Sequence, residues 1–202
     1  HRFAIRTVVD NHHLYLLAGK VAAALVSGAQ SRGVIAYIKH FALNEQETER
    51  HGVATWLTEQ ALRENYLKAF EYAIKDGGAL GIMQSLNKIG GVNGFGNYAL
   101  DVSVLRGEWG YRGALVTDAY NASLVRENMA QRMGGDIPLG NWRVAGDWDS
   151  TQNTVTYNGT ASPTQWSVIR NSAMHLLYMT ANSIGVYNGY NMAAFTTQSV
   201  YE

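Results

Sequence analysis

The chain has 202 residues, 47% of them hydrophobic and 16% charged, which is enough apolar sequence for one globular domain with a buried core. Sixteen basic residues balance sixteen acidic ones without forming a charge block, which argues against a nucleic-acid-binding protein. Cysteine is absent, so disulfides and thiolate chemistry are excluded, and no apolar run reaches the roughly 18 residues of a membrane span. The first residues, HRFAIRTVVDN, lack the apolar region and cleavage site of a signal peptide.

The first part of the chain alternates between helical and extended patterns. Residues 12–33 are rich in alanine and predict a helix that ends at Gly33, and residues 34–38 predict a buried strand that leads into Lys39 and His40. Residues 55–75 predict an amphipathic helix. Its apolar positions recur near the helical period: Trp56, Ala61, Leu62, Tyr66, Phe70, Ala73 and Ile74.

The middle of the chain continues this alternation. Residues 79–87 (ALGIMQSLN) predict a strand, residues 88–97 a glycine-rich loop, and residues 98–110 a short helix. The run GALVTD then predicts a buried strand over residues 113–118, with a single carboxylate, Asp118, at its carboxyl end.

The last part contains two predicted helices on either side of a polar segment. Residues 121–135 predict a helix, residues 136–140 a brief strand, and residues 141–165 a long loop or insertion, because they are polar, rich in turn residues and without period. A final amphipathic helix is predicted over residues 163–182. Its expected buried face consists of Trp166, Ile169, Ala173, Leu176 and Leu177.

Strands that alternate with helices predict an α/β fold with parallel pairing and right-handed crossovers. Three or four strands cannot close an eight-stranded barrel, so the pattern fits either part of a (β/α)8 barrel or a small open sheet. Either arrangement leaves open sheet edges, which predicts that the isolated chain associates or aggregates unless another segment covers them.

Polar side chains follow three of the predicted strands. They are Lys39 and His40, then Ser85 and Asn87, then Asp118. Because the carboxyl ends of parallel strands meet at one edge, these groups are expected around one mouth, where they would bind a polyhydroxylated ligand. Asp118 would attack or stabilise a carbocation-like centre.

Each of these residues also has a purely structural interpretation. Asp118 would cap the following helix, Lys39 would be a solvated loop residue, and His40 a half-buried imidazole with satisfied hydrogen bonds.

Other motifs do not have the residue spacing that a functional site requires. GGVNGFG is not a phosphate-binding loop, the histidines lack partners at zinc-ligand spacing, and the acidic run NEQETERHG indicates a solvated face.

Three long motifs, in this order, closely resemble glycoside hydrolase family 3. They are KHFALNEQETERHG, EQALRENYLKAFEYAIKDGGALGIMQSLNKIGG and VLRGEWGYRGALVTDAY, and the similarity covers about residues 14–140. They look most like β-glucosidases of anaerobic gut-type bacteria. The resemblance implies part of a (β/α)8 TIM-type barrel spanning residues 1–202 as a single truncated domain.

The resemblance also implies the roles of individual residues. Asp118 matches the nucleophile of the family's Ser/Thr-Asp-aromatic motif, and Lys39 and His40 match the pair that binds sugar hydroxyls. Ser85, at the end of the preceding strand, is expected to contact the sugar as well. Arg2 stands eight residues before Asp10, the spacing of a family motif whose arginine binds the sugar.

The sequence departs from the family pattern at several positions. His1, Val9 and Asn11 replace the usual Gly, Glu and Pro around the Arg2 motif. Leu86 stands where many members have Tyr, and Ala119 where many have an aromatic residue, which affects the expected sugar-stacking surface. The run Phe41-Ala42-Leu43 argues against the N-acetylglucosaminidase branch.

The activity implied is a retaining exo-β-glycosidase that removes terminal β-glucosyl residues from β-glucosides or short β-gluco-oligosaccharides without a cofactor or metal. The family's acid/base Glu usually lies in a neighbouring α/β sandwich domain, and no residue here matches it. Glu45, Glu47 and Glu49 are the nearest candidates by sequence, and all three are disfavoured. The expected partners are therefore the missing barrel and sandwich segments of the same enzyme.

Two alternatives remain from the sequence. One is a catalytically incomplete remnant that binds a sugar or a partner protein without turnover. The other is a small doubly wound binding domain with no glycosidase ancestry, which would require the three motif matches to be accidental.

Overall fold

The computed structural model of the chain describes residues 3–6, 14–120, 124–125, 127–140 and 163–183, and within them the strands form two sheets. The larger sheet consists of β1 (Phe3–Arg6), β2 (Ala36–Phe41), β4 (Gly81–Gln84), β7 (Ala114–Tyr120) and β8 (Ile137–Gly140), all parallel and adjacent in that order. The smaller sheet consists of β3 (Ala54–Thr55), β5 (Lys88–Ile89) and β6 (Val92–Asn93), ordered β3-β5-β6.

Helical segments lie between the strands of the larger sheet and after the last of them. They are α1 (Leu14–Gln30), α2 (Glu59–Ala61), a π-helical stretch (Leu62–Tyr66), α3 (Lys68–Lys75), a second π-helical stretch (Ala99–Glu108), α4 (Glu127–Arg132) and α5 (Pro163–Ala181). The predicted α/β class and parallel pairing are therefore confirmed. Among the described residues, no helix combines the length and the apolar character that crossing a membrane requires.

The main core lies between the larger sheet and the pair formed by α1 and α3. Val26 of α1 and the strand residues Ile38, Ile82 and Leu115 are fully buried. A small residue on α1 lets the two helices approach closely, because a Cβ at Gly19 would lie 2.6 Å from the Tyr72 ring. This packing fixes α1 and α3 against one face of the sheet. The polar side chains at the carboxyl ends of the strands are not part of it.

The predicted helix over residues 55–75 is wrong in its first part. Thr55 belongs to β3, which pairs with β5, and the helical conformation begins only at Glu59, where the Thr58 side chain accepts a hydrogen bond from the Ala61 amide. Trp56 was expected on the buried face but is 78% exposed. The helical spacing of apolar residues extends back to Trp56, but the pairing of β3 with β5 and the Thr58 cap determine where the helix begins.

Several strand boundaries also differ from the predictions. The strand predicted over residues 34–38 lies at Ala36–Phe41, so it includes Lys39 and His40, and the strand predicted over residues 79–87 ends at Gln84. β1 was not predicted, and the glycine-rich loop contains the β5–β6 hairpin.

The remaining elements agree in type but not always in extent. The short helix near residue 100 and the brief strand β8 are confirmed, whereas α4 is shorter than the predicted helix over residues 121–135. Residues 141–162, the greater part of the predicted loop or insertion, lie outside the described residues.

The predicted last helix is confirmed as α5, but its predicted buried face is wrong at three of five positions. Leu177 is 64% exposed and Trp166 and Ala173 are also exposed, whereas Ile169 and Leu176 are half-buried. Among the described positions of α5, Ser172 is buried. The helix is positioned by polar contacts instead. His175 Nδ1 lies 2.8 Å from Asp136 Oδ1, so hydrophobicity alone does not determine which face of α5 meets the sheet.

Asp136 is the centre of a buried polar network at the amino-terminal end of the sheet. Its carboxylate, 2% exposed, lies 2.7 Å from Arg106 Nη2 and accepts a hydrogen bond from the Leu115 amide at 2.8 Å. Removing one partner of a buried ion pair of this kind costs about 3–5 kcal/mol. The network therefore ties α5 and the second π-helical stretch to β7, and it stabilises the strand at the end opposite Asp118.

Candidate active site at the carboxyl ends of the strands

The candidate site lies where β2, β4 and β7 end. These three strands are adjacent and parallel, with Ile38 opposite Ile82 and Ile82 opposite Leu115. Parallel register places their carboxyl ends at one edge of the sheet, the position at which ligands bind in α/β folds.

An irregularity in β2 exposes two polar residues in succession. Ile38 and Phe41 are both fully buried although they are three residues apart, and the register against β4 shifts between them. A regular strand would bury alternate residues, so this shift leaves both Lys39 and His40 off the core-facing side. The peptide bonds Lys39–His40 and Phe41–Ala42 are cis.

Asp118 lies where the buried part of β7 ends. Residues 114–117 are all buried, whereas the Asp118 side chain is partly exposed. β7 continues to Tyr120 and α4 begins only at Glu127, so Asp118 is not the cap of the following helix. The structural interpretation of Asp118 as a helix cap is wrong.

Two nitrogen-bearing side chains face the Asp118 carboxylate. His40 Nε2 lies 3.3 Å and Arg50 Nη1 3.9 Å from Oδ2, while Oδ1 accepts a hydrogen bond from the Ala119 amide at 2.7 Å. The side chains of His40 and Asp118 are only 9% and 16% exposed. Oδ2 is buried and makes no aligned hydrogen bond with any described residue, so one carboxylate oxygen is held by a hydrogen bond and the other is not.

Arg50 is a site residue that the sequence analysis missed. It lies on the loop between β2 and β3, and its Nη1 is 2.8 Å from Glu47 Oε2. Glu47 Oε1 in turn lies 3.4 Å from the side-chain nitrogen Nδ2 of Asn44. The acidic run interpreted as a solvated face therefore contains a carboxylate that orients Arg50 toward Asp118. The one signal in the sequence was a basic residue within the acidic run that follows β2.

Ser85 and Asn87 hold the loop after β2 through hydrogen bonds to its backbone. The Ser85 hydroxyl donates a hydrogen bond to the Ala42 carbonyl at 2.8 Å, and Asn87 Nδ2 approaches the same oxygen at 3.3 Å. Both residues are fully buried. The backbone at position 94 lies so close to Ser85 that glycine is required there, because a Cβ would collide with the Ser85 carbonyl. These two polar residues hold the backbone that follows Lys39 and His40.

The other sequence-predicted residues occupy different environments. Lys39 is partly buried at the end of β2, Arg2 lies outside the described residues, and Ala119 is exposed beside Asp118. Leu86 is fully buried against Phe95 and so provides no surface for stacking a sugar.

The geometry suits a carboxylate that reacts with an electron-poor centre. A carboxylate with one uncommitted oxygen, shielded from water and flanked by an imidazole and a guanidinium, can attack or stabilise a positively charged carbon. Lys39 and His40 add donors of the kind that hydroxyl-rich ligands require.

An open parallel sheet whose strands alternate with helices is the arrangement of part of a (β/α) barrel, and Asp118 lies at the edge where such barrels carry their active sites. Residues 12–134 match the model of the glycosyl hydrolase family 3 N terminal domain. Because this match covers more than half of the sequence, the chain belongs to glycosyl hydrolase family 3.

Similar proteins support this assignment. The chain is 50% identical over 102 residues to Beta-glucosidase B of Emericella nidulans, a match that covers 50% of this chain and 12% of that protein. It is 38% identical over 131 residues to a beta-glucosidase of Rhizobium radiobacter, covering 65% and 16%. The structure of beta-glucosidase 3B from Thermotoga neapolitana in complex with glycerol superposes with a TM-score of 0.74 at 29% identity, covering 93% of this chain and 27% of that one.

These matches confirm the predicted partial barrel and set its scale. The chain spans about a seventh of the curated relatives and about a quarter of the similar solved structure. The relatives include a fungal protein, so the similarity is not limited to the bacterial β-glucosidases that the sequence motifs suggested.

One prediction distinguishes two roles for Ser85, namely holding the backbone at Ala42 and contacting the sugar. We expect Ser85→Ala to increase amide hydrogen exchange about fivefold in a peptide covering residues 39–44, because one hydrogen bond to Ala42 worth about 1 kcal/mol is lost. Exchange is measured by mass spectrometry, with Ser103→Ala, an exposed serine, as the matched control. Unchanged exchange together with weaker glucose binding would show instead that Ser85 contacts the sugar.

Proposed function

We propose that this chain supplies the nucleophile and the glucosyl-binding groups of a retaining exo-β-glucosidase. The substrate is a β-glucoside or a short β-gluco-oligosaccharide, and the acid/base carboxyl comes from a segment outside this chain. The single observation that carries the proposal is the Asp118 carboxylate at the carboxyl end of β7, with Oδ1 held by the Ala119 amide and Oδ2 beside His40 and Arg50.

The first step breaks the glycosidic bond. Asp118 Oδ2 attacks the anomeric carbon of the terminal glucosyl unit and forms a covalent ester, while the bond to the leaving oxygen breaks. The acid/base carboxyl donates its proton to that oxygen, so the aglycone leaves as a neutral alcohol.

The second step releases glucose. The same acid/base group, now a carboxylate, accepts a proton from a water molecule that attacks the anomeric carbon. The bond between the anomeric carbon and Asp118 Oδ2 then breaks and regenerates the carboxylate. Two inversions at one carbon retain the β configuration.

Residues around Asp118 have separate tasks in this scheme. Lys39 and His40 bind hydroxyls of the terminal glucosyl unit, and Arg50 orients the Asp118 carboxylate for its attack on the anomeric carbon in the first step. Glu47 acts as the partner that positions Arg50, since it is 2.8 Å from Arg50 Nη1 and half exposed. Arg2 is proposed as a further sugar-binding residue on the resemblance alone.

The nucleophile is tested by trapping. The reagent 2,4-dinitrophenyl 2-deoxy-2-fluoro-β-glucoside has a leaving group that departs without protonation, so labelling does not require the acid/base group. We expect one glycosyl adduct, located on Asp118 by peptide mapping, and no adduct with Asp118→Asn. Asp76→Asn, a change at an exposed carboxylate on another face, is the control. An adduct on another carboxylate, or none in the wild-type chain, would contradict the assignment.

Arg50 is tested by the rate of the same labelling reaction. We expect Arg50→Ala to slow labelling about 10- to 100-fold, since a charge-assisted contact in a shielded site contributes about 1.5–3 kcal/mol. Arg112→Ala, which removes an exposed arginine before β7, should leave the rate unchanged. A less than twofold effect of Arg50→Ala would remove Arg50 from the site.

A further inference from the structure

A groove of about 450 Å³ lies between the smaller sheet and the helical segments, separate from the residues around Asp118. Its floor is aliphatic and its outer wall is the indole of Trp56. The floor residues include Leu62, Leu67, Ile89, Leu100 and Val104. The volume falls within the range of about 300–1,000 Å³ that is typical of small-molecule sites.

Trp56 presents a large apolar surface to solvent at the groove. It is 78% exposed, the highest value among the large hydrophobic residues that are exposed in the described part of the chain. Gly90, in the turn between β5 and β6, has a φ of +60° and lies under the ring, where a Cβ would be 3.6 Å from the indole. One part of the ring therefore packs on this turn, and the rest is available to a ligand.

Fixed polar groups line the rim beside the indole. Arg63 Nε lies 2.8 Å from Glu59, and its Nη atoms lie 2.6 and 3.0 Å from the two Glu108 oxygens. Glu59 remains 75% exposed despite this contact. A flat aromatic wall next to carboxylate acceptors is the combination that a pyranose ring requires, since its C–H face is apolar and its edge carries hydroxyl donors.

The groove lies at the same end of the larger sheet as Asp118. The loop that follows β2 carries Arg50 and continues into β3 and Trp56, and the chain that follows β4 forms the β5–β6 hairpin. Backbone hydrogen bonds connect these two segments, from Lys88 N to Val53 O and from Gly90 N to Thr55 O. A sugar bound at Trp56 would thus be retained on the face of the molecule that carries the candidate active site.

We propose that the Trp56 groove is a second carbohydrate site that binds a β-linked glucosyl unit without cleaving it. The choice of sugar rests on the proposed function. The site would hold an oligosaccharide near the catalytic edge and raise its local concentration there, which increases occupancy without new contacts at Asp118.

The test uses the whole chain and methyl 4-thio-β-cellobioside, whose sulfur-linked bond resists hydrolysis. Binding is measured by calorimetric titration in a Lys39→Ala background, which weakens binding at the candidate active site. We expect binding to persist there, to weaken at least tenfold when Trp56→Ala is added, and to stay within about threefold with Trp56→Phe. Trp166→Ala, at an exposed tryptophan on α5, is the matched control and should have no effect.

A second measurement uses the wild-type chain and does not depend on a variant that folds. The disaccharide should protect Trp56, but not Trp166, from oxidation by N-bromosuccinimide, as mapped by peptide mass. Absence of protection, or binding that Trp56→Ala leaves unchanged, would overturn the proposal. Adduct formation on wild-type Asp118 is scored separately, so each proposal can fail while the other stands.

Discussion

Parallel pairing of β2, β4 and β7 is the constraint on which the candidate site depends, because it carries side chains from distant parts of the sequence to one edge. Neighbouring strands are about 4.8 Å apart, so β2 and β7, separated by β4, lie about 10 Å apart. His40 and Asp118 nevertheless approach to 3.3 Å, since both lie near the carboxyl ends of their strands and their side chains point toward each other. At the other end of β7, the buried contacts of Asp136 with Arg106 and the Leu115 amide stabilise the same strand.

The reactive edge combines rigid support with a small number of uncommitted atoms. Buried Ser85 and Asn87 satisfy the Ala42 carbonyl, which fixes the backbone after His40, and Glu47 holds Arg50. Each of these contacts contributes about 1 kcal/mol, a modest amount beside core burial. Their importance is positional, because a carboxylate acts as a nucleophile only when its oxygen is directed at the reacting carbon. Asp118 Oδ2 is the carboxylate oxygen that makes no hydrogen bond to a described residue.

The sequence predicted those features of the fold and the site that depend on local pattern. Strand ends followed by polar residues located Lys39, His40 and Asp118 correctly at one edge, and alternation predicted the parallel sheet. Features that depend on tertiary contacts were not predictable in this way. Arg50 reaches Asp118 only through the path of its loop, and the orientation of α5 follows from the contact between His175 and Asp136. Trp56 fitted a helical period, yet it lies outside the helix, because β3 pairs with β5 and the helix begins only at Glu59.

The central claim is that this chain provides the nucleophile of a retaining reaction whose acid/base group lies elsewhere. The most direct test is to incubate the chain with 2,4-dinitrophenyl β-glucoside and azide, an anion that attacks carbon without a general base. The account predicts azide-dependent turnover with β-glucosyl azide as the product, because two successive inversions retain configuration and azide replaces the activated water. Formation of α-glucosyl azide, fast hydrolysis without azide, or no reaction at all would contradict it.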